Sequence, residues 1–246
     1  NKRYDCGLQL GGSDQWGNIT GGIDLTRRLQ GKQVFGLTMP LITKTDGTKF
    51  GKTESGTIWL DPARTSPYAF YQFWLATADA DVYKFLKYFT FMSVAEIDAI
   101  ERADADRQGR PEAQAVLARE VTRLVHGQDG LDAAVRITES LFSGSLETLA
   151  ESDVLQLRQD GLPASTVART DFPETLTQLL TEAGMASSGK QVKDALGRNA
   201  VSVNNELVGW EDNANVAHCL DASRAVFGRF YLVKLGKKKY HLLEVI

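Results

Sequence analysis

The sequence predicts an α/β unit at the beginning of the chain, followed by an all-α domain and a small α+β domain. Three observations support this fold class. Short apolar runs alternate with glycine-containing turns in the first segment, amphipathic helical patterns follow one another in the second, and helical and strand patterns mix in the last. The predicted segments are 1–64 for the α/β unit, 65–150 for the helical domain, 151–170 for a connecting segment with room for one short helix, and 171–246 for the α+β domain.

The composition is that of a globular protein and excludes several classes. The 246 residues are 43% hydrophobic and 24% charged, with a formal net charge of -3. This balance excludes a globally basic nucleic-acid binder, so any RNA-contacting surface must be a local patch. No apolar run approaches the ~20 residues of a membrane span, and we expect a cytoplasmic protein without a membrane partner. Cys6 and Cys219 are too few and too isolated for a metal site, and none is predicted.

The first predicted strand, at residues 8–10, leads through a glycine turn into a helix that reaches residue 29. Ser13 or Asp14 is placed to cap the free N–H groups at the beginning of that helix. In open α/β sheets ligands bind at the carboxyl ends of strands. A carboxylate there can accept hydrogen bonds from a ribose diol, and Gln15 can reach a neighbouring carbonyl or phosphate. The alternative is that Asp14 is a plain cap.

The second predicted strand, at residues 37–43, is followed by a loop that contains two lysines. A turn signal at residues 46–47 precedes Lys49 and Lys52, and Thr53 adds a hydroxyl. A glycine-bearing loop with two cations and a hydroxyl suits a polyphosphate, because it can close on the ligand and neutralise its charge. The alternative is an ordinary solvated hairpin with surface lysines.

The helical segment shows clear helix-start signals and a dense set of aromatic residues. Ser66 and Pro67 fit a cap with proline at the first helical position, and Ser93 and Glu96 fit a capping box. Aromatic residues can stack on bases, but their helical spacing here favours a core. The set is Tyr71, Phe73, Trp74, Phe85, Tyr88, Phe89 and Phe91.

The last segment predicts two helices, a strand at residues 200–204 and a hairpin formed by residues 228–235 and 240–245. Ser188 is expected to cap the second helix, which carries Lys190 and Lys193. Within residues 229–246 five cations face one acid, Glu244, so the charges of the hairpin tip are expected to project together. The tip lysines are Lys237, Lys238 and Lys239. They fit either an edge-strand guard or a surface that contacts RNA phosphates.

These stretches together resemble the bacterial tyrosyl-tRNA synthetases, which are class I aminoacyl-tRNA synthetases. The matching motifs are Gln9-x-Gly11-Gly12-Ser13-Asp14-Gln15-Trp16-Gly17-Asn18-Ile19 and Lys49-Phe50-Gly51-Lys52-Thr53, the second being that family's version of the KMSKS loop. The last segment resembles the family's C-terminal RNA-binding domain, which was first described in a ribosomal protein. That match is carried by Ser188, Lys190, Lys193, Ala195, Leu196 and Val201-Ser202-Val203-Asn204, with departures at Gly189, Val192 and Asn205.

The resemblance implies the second half of a Rossmann-like catalytic domain, a helical anticodon-side domain and an RNA-binding domain. It implies ATP-dependent activation of tyrosine and transfer to tRNA(Tyr), with ATP as a substrate accompanied by Mg²⁺ and no tightly bound cofactor. The implied catalytic residues are Lys49, Lys52 and Thr53. The implied ATP and adenylate contacts are Gly12, Asp14, Gln15, Leu41 and Ile42, with Gln9 nearer the tyrosine. The implied tRNA contacts are Lys190, Lys193, Lys237, Lys238 and Lys239.

The chain begins at Asn1, shortly before its first strand, and is expected to be a piece of a longer protein. In the resembled family the preceding region holds the HIGH motif and most of the amino-acid pocket. A homodimer formed through that region is expected, and this chain alone is expected to be inactive. One alternative is a non-catalytic RNA-binding protein with a decayed nucleotide-binding half, although the intact loop lysines and Asp14 argue against decay. The tryptophan-specific sister family is the other, and we do not expect it to carry the C-terminal unit.

Overall fold

The computed structural model of the chain describes residues 1–45, 47, 50, 52–53, 56–143, 146, 148–237 and 239–246. The chain divides into two compact units, Asn1–Thr57 and Ile58–Ile246. Within the described ranges, no helix is both long enough and apolar enough to cross a membrane.

The first unit contains a parallel pair of strands packed against one helix. Its elements are β1 (Leu8–Gly12), α1 (Trp16–Gln30), β2 (Phe35–Met39) and a short antiparallel pair, β3 (Lys52–Thr53) with β4 (Gly56–Thr57). In the parallel pair, Leu8 lies opposite Phe35 and Gly12 lies opposite Met39. The predicted order of strand, turn, helix and strand is confirmed. β2 ends before the predicted residue 43, because Pro40 has no N–H to continue the ladder.

The two faces of the β1–β2 pair differ sharply. On one face, Ile19 of α1 is fully buried against Gly36, where an added Cβ would overlap the isoleucine side chain. The other face consists of large apolar side chains that are 52–59% exposed, because successive strand residues point to opposite sides. They are Leu8, Leu10, Phe35, Leu37 and Met39.

The second unit begins with helices and ends with a sheet. The helices are α2 (Pro67–Leu75), α3 (Asp79–Phe89), α4 (Val94–Ala105), α5 (Ala113–Ser143) and α6 (Glu151–Gln156), which continues into a π-helical turn at Leu157–Gly161. The Ser66 side chain accepts from the Ala69 N–H at 3.1 Å, and Ser93 forms the predicted capping box with Glu96. α5 consists of two helical stretches that meet at Gly127.

The aromatic residues of this segment are mostly core. Tyr71, Trp74 and Phe85 are buried, and Trp74 lies edge-on to Phe85 with ring centroids 6.4 Å apart. Tyr88 and Phe91 are exposed, so the prediction was wrong for these two. Tyr88 faces away from the core on α3, one residue before the partly buried Phe89, and Phe91 lies in the connection between α3 and α4.

A five-stranded sheet completes the second unit. Its elements in chain order are β5 (Ala164–Val167), α7 (Leu176–Glu182), α8 (Gly189–Gly197), β6 (Val201–Val203), β7 (Glu206–Val208), α9 (Val216–Cys219), β8 (Phe230–Leu235) and β9 (Lys239–Val245). The strand order is β5-β9-β8-β6-β7. β5 lies inside the predicted connecting segment and was not predicted. It pairs parallel with β9, with Ser165 opposite Leu243.

The sheet is buried on both faces at its central strands, β8 and β9. One face packs against α7 and α8 in a core that includes Leu180, Leu196 and Tyr231. The other face packs against the preceding helices, where Phe230 and Leu242 contribute to a second core. The helical members of that second core are Tyr68, Ile137, Val154 and Leu157. The C-terminal sheet and the helical segment therefore share a hydrophobic core.

Ion pairs connect the same two parts of the second unit. Glu244 is nearly buried, and its carboxylate lies 2.8 Å from Arg158 Nε and 3.6 Å from Arg229 Nε. Arg229 also pairs with Glu151 at 2.8 Å. Arg229 thus belongs to a four-residue ion network and is not part of a free basic surface.

A buried carboxylate also joins α5 to α6. Asp153 is 1% exposed and accepts two hydrogen bonds from Arg136, at 2.7 and 2.9 Å, together with one from the Ala150 N–H at 2.9 Å. The geometry is bidentate, which makes this pair stronger than a single surface contact.

We predict that Asp153→Ala lowers the free energy of unfolding by about 3 kcal/mol, because it leaves a guanidinium and a backbone N–H without their acceptor. Urea denaturation is the measurement. Arg107→Ala is the matched control, since its pair with Glu112 at 3.0 Å is exposed and should cost at most about 1 kcal/mol. Equal losses in the two variants would contradict the role given to Asp153.

Candidate functional site

The carboxyl end of β1 brings together three of the residues predicted to contact ATP. Gly12 ends the strand in an extended conformation. An added Cβ at Gly12 would lie 2.7 Å from the Asp14 Oδ1 and 2.8 Å from the Leu41 Cδ2. The ends of the Asp14 and Leu41 side chains therefore lie where a side chain at position 12 would begin, and a larger residue there would have to displace them.

The helix start differs from the prediction that Ser13 or Asp14 caps it. A single 3-10 turn, Ser13–Gln15, lies between β1 and α1, and the Trp16 N–H bonds to the Ser13 carbonyl. No side-chain cap is formed at either start in the described structure. The Asp14 carboxylate is exposed and has no hydrogen bond or ion pair with any described residue. It is therefore available to a ligand.

The two glutamines take different positions. The Oε1 of Gln15 accepts a hydrogen bond from Asn18 at 3.0 Å, which holds the side chain at the beginning of α1. Gln9 lines a separate cavity of about 260 Å³ between α1 and the strands, together with Thr26 and Phe35. Gln9 lies about 10 Å before Gly12 along the strand, since each residue rises about 3.3 Å.

The lysine loop is described only in part. Lys49 lies outside the described residues, and Lys52 and Thr53 are described as the strand β3 without their side chains. The base of the loop is fixed by the Phe50 N–H, which donates to the Ile42 carbonyl at 3.3 Å. This bond connects the loop to the segment that carries Leu41 and Ile42.

The predicted RNA contacts on α8 line two different grooves. Lys190 lines a groove of about 420 Å³ with Asp194 and Arg198, whereas Lys193 lines a pocket of about 400 Å³ on another side of the helix. Neither lysine forms an ion pair with another described residue. Sequence reasoning missed Arg198, although its spacing of eight residues from Lys190 places both on one helix face.

Ser188 lies at the predicted cap position but, within the part of the chain that the structure describes, does not cap the helix with its side chain. Ser188 occupies the N-cap of α8 in an extended conformation, but its side chain makes no capping hydrogen bond in the described structure. The Gln191 Oε1 accepts from the Ser187 N–H at 3.2 Å, which connects the residue before the cap to the first turn of α8.

The tip lysines of the β8–β9 hairpin differ from one another. Lys237 is exposed, and Lys238 lies outside the described residues. The Lys239 Nζ donates to the Met185 carbonyl at 3.2 Å, so this side chain is directed toward the connection between α7 and α8. Lys239 therefore reaches from β9 to the part of the domain that contains α8 and Lys193.

Comparisons with known proteins show the family to which the chain belongs. The family model of tRNA synthetases class I (W and Y) matches residues 2–143, and the model of the tyrosine–tRNA ligase SYY-like C-terminal domain matches residues 153–243. The chain belongs to the class I tRNA synthetases of the tryptophan and tyrosine family. The second match favours the tyrosine branch, which is the branch predicted from the two motifs.

The relatives are named tyrosine–tRNA ligases. The chain is 57% identical to the one from Aliivibrio fischeri (strain MJ11) over 242 residues, which cover 98% of this chain and 55% of the relative. It is 55% identical to the one from Escherichia coli (strain 55989 / EAEC) over 243 residues, covering 99% and 55%. The chain thus spans about half the length of the curated relatives it matches. The predicted resemblance is confirmed, and the alternative of a decayed binding protein is not favoured.

A solved structure is similar over part of the chain. It is a C-terminally truncated mitochondrial tyrosyl-tRNA synthetase from Aspergillus nidulans, 35% identical, with a TM-score of 0.46. The match covers 56% of this chain and 39% of that one.

Proposed function

We propose that this chain is part of a tyrosine–tRNA ligase, which activates tyrosine with ATP and transfers it to tRNA(Tyr). The observation that supports this most directly is the position of Asp14 and Leu41 next to Gly12 at the carboxyl end of β1. This is the edge of a parallel sheet at which nucleotides bind. The names of the relatives and the tyrosine-specific C-terminal match support the choice of amino acid.

The proposed reaction has two steps. The tyrosine carboxylate attacks the α-phosphate of ATP and releases pyrophosphate, and the terminal ribose hydroxyl of the tRNA then takes the acyl group. No covalent enzyme intermediate is needed, so catalysis depends on positioning and on charge neutralisation at the phosphate. Mg²⁺ accompanies the ATP phosphates.

The proposed ATP site uses the residues at the end of β1 and after β2. The Asp14 carboxylate, which has no partner among the described residues, accepts hydrogen bonds from the ribose hydroxyls, and Gly12 leaves room for the sugar. The backbone at Leu41 and Ile42 contacts adenine. Gln15 lies near the mixed anhydride, and Gln9 is assigned to the tyrosine side.

The lysine loop is assigned to the leaving group. Lys49, Lys52 and Thr53 neutralise the pyrophosphate as it departs. The bond from Phe50 to Ile42 supports this role, because it ties the base of the loop to the segment proposed to contact adenine.

For the rest of the chain we propose the domain functions that the family implies. Residues 65–150 form the anticodon-side helical domain, and residues 171–246 bind tRNA through the lysines of α8 and of the hairpin tip. We also propose a cytoplasmic homodimer. The shared core between the helices and the sheet supports a fixed placement of the RNA-binding part.

We predict that the 246-residue chain alone does not catalyse tyrosine-dependent ATP–pyrophosphate exchange. The motivating observation is the open apolar face of the β1–β2 pair, which leaves the proposed site with a single wall. Exchange is measured on the purified chain beside the full-length protein. Exchange above background by the chain alone would show that the active site has been misplaced.

We predict that Lys49→Ala and Lys52→Ala in the full-length protein each slow adenylate formation by about 100- to 1000-fold and change tyrosine binding little. The lysines act mainly as charge moves onto the leaving group, so their loss appears in the rate. Pre-steady-state adenylate formation is the measurement. Lys32→Ala, whose ammonium pairs with Asp5 at 2.8 Å, is the control. Weaker tyrosine binding with an intact rate would refute the assignment.

We predict that replacing Lys237, Lys238 and Lys239 together by alanine lowers the slope of log affinity for tRNA(Tyr) against log salt by roughly 2 to 3 units. Each contact between a lysine and a phosphate releases counterions when the RNA binds, so the variant with fewer contacts releases fewer of them. Binding across a salt series is the measurement, and pyrophosphate exchange should stay unchanged. An unchanged salt slope would contradict the proposed phosphate contacts and would favour the alternative that these lysines only protect the edge of the sheet.

A further inference from the structure

A pocket between α7, α8 and the 3-10 turn Trp210–Asp212 has no role in the functions described so far. Its volume is about 400 Å³, which is in the range of small-ligand sites. We propose that this pocket binds one unpaired RNA nucleobase, which stacks on Trp210. The proposal rests on the proposed tRNA-binding function, and it specifies that this pocket binds an unpaired base of the RNA.

Trp210 supplies the stacking surface. Its side chain lines the pocket and is 52% exposed, although it is among the largest apolar side chains of the domain. Unpaired bases are held by proteins chiefly by stacking on aromatic rings, and this stacking is tolerant of sequence. Leu207 on β7 is also exposed but does not line the pocket, so it offers a matched control.

Asn213 supplies a fixed hydrogen-bond donor. It lines the pocket and is 9% exposed. Its Oδ1 accepts from the Thr177 N–H at 3.0 Å and from the Thr177 hydroxyl at 2.7 Å, which orients the amide. Its Nδ2 donates to no other described residue. The oriented amide nitrogen is open to the pocket, so it can donate to a ligand that presents an acceptor, as the edge of every base does.

The charges around the pocket favour a base inside it and a phosphate at its rim. Glu182 and Lys193 both line the pocket. A carboxylate repels a phosphate but accepts hydrogen bonds from the N–H groups of a base, whereas Lys193 can contact the flanking phosphate. The Glu182 Oε1 already accepts from Gln178 at 2.9 Å, so its other oxygen remains for the ligand.

A second groove on α8 gives the RNA strand a path away from the pocket. It is lined by Lys190 and Arg198, with Asp194 between them on the same helix face. Lys190 and Arg198 lie about 12 Å apart along the helix, so they can contact separate phosphates of the strand. The pocket on the other side of α8 takes the base. This combination of stacking surface and basic groove is the common design of single-strand sites.

The test compares Trp210→Ala, Trp210→Phe and Leu207→Ala in the full-length protein, with a transcript of tRNA(Tyr) as the probe. We expect Trp210→Ala to weaken binding by about 5- to 150-fold at every salt concentration, with an unchanged salt slope, because stacking releases no counterions. Trp210→Phe should keep most of the affinity, and Leu207→Ala should bind as the parent does. Quenching of tryptophan fluorescence by the tRNA should be smaller in Trp210→Phe.

The outcomes separate this inference from the function on which it rests. Parent-like binding by Trp210→Ala, with a reduced salt slope in a Lys190→Ala, Lys193→Ala double variant, would overturn the base pocket and leave the RNA-binding role standing. Absence of tRNA(Tyr) binding by the parent protein itself would overturn both. An equal loss in Trp210→Ala and Leu207→Ala would also overturn the pocket, since it would show a general effect on the domain.

Discussion

The pairing of β8 with β9 is the constraint on which the second unit depends. Successive residues of these strands point alternately into the core under α7 and α8 and into the core formed with the preceding helices. Tyr231 and Leu243 contribute to the first core, and Phe230 and Leu242 to the second. A slip of one residue would exchange these sets, so a single register fixes both cores at once.

Much of the second unit could be predicted because its signals are local. Helical periodicity and the capping residues Ser66 and Ser93 lie within a few positions of the helices that they start. β5 could not be predicted in this way, since its four residues become a strand only by pairing with β9, about 80 positions later in the chain. The exposure of Phe91 likewise depends on how α3 and α4 pack together, which the spacing of the aromatic residues does not predict.

The candidate sites show the same difference between local sequence signals and contacts that form only on folding. The motif around Gly12 and Asp14 is contiguous, and the sequence indicated both residues. The contact of Leu41 with that turn depends on the parallel pairing of β1 and β2. Trp210 and Asn213 gave no signal, because their pocket joins segments of the chain that become neighbours only after folding. The helix cap expected from Ser13 failed because an intervening 3-10 turn moves the start of α1 to Trp16.

The ion network around Glu244 has a mechanical consequence. Arg158 and Glu151 belong to the helical part, and Arg229 and Glu244 to the sheet, so four charges brace one part against the other beside their common core. The C-terminal part is therefore fixed against the helices and does not move as a separate arm. Under the proposed RNA-binding role, an RNA held at α8 would lie at a set distance from α2 and α5, so the fold would measure a fixed length along its ligand.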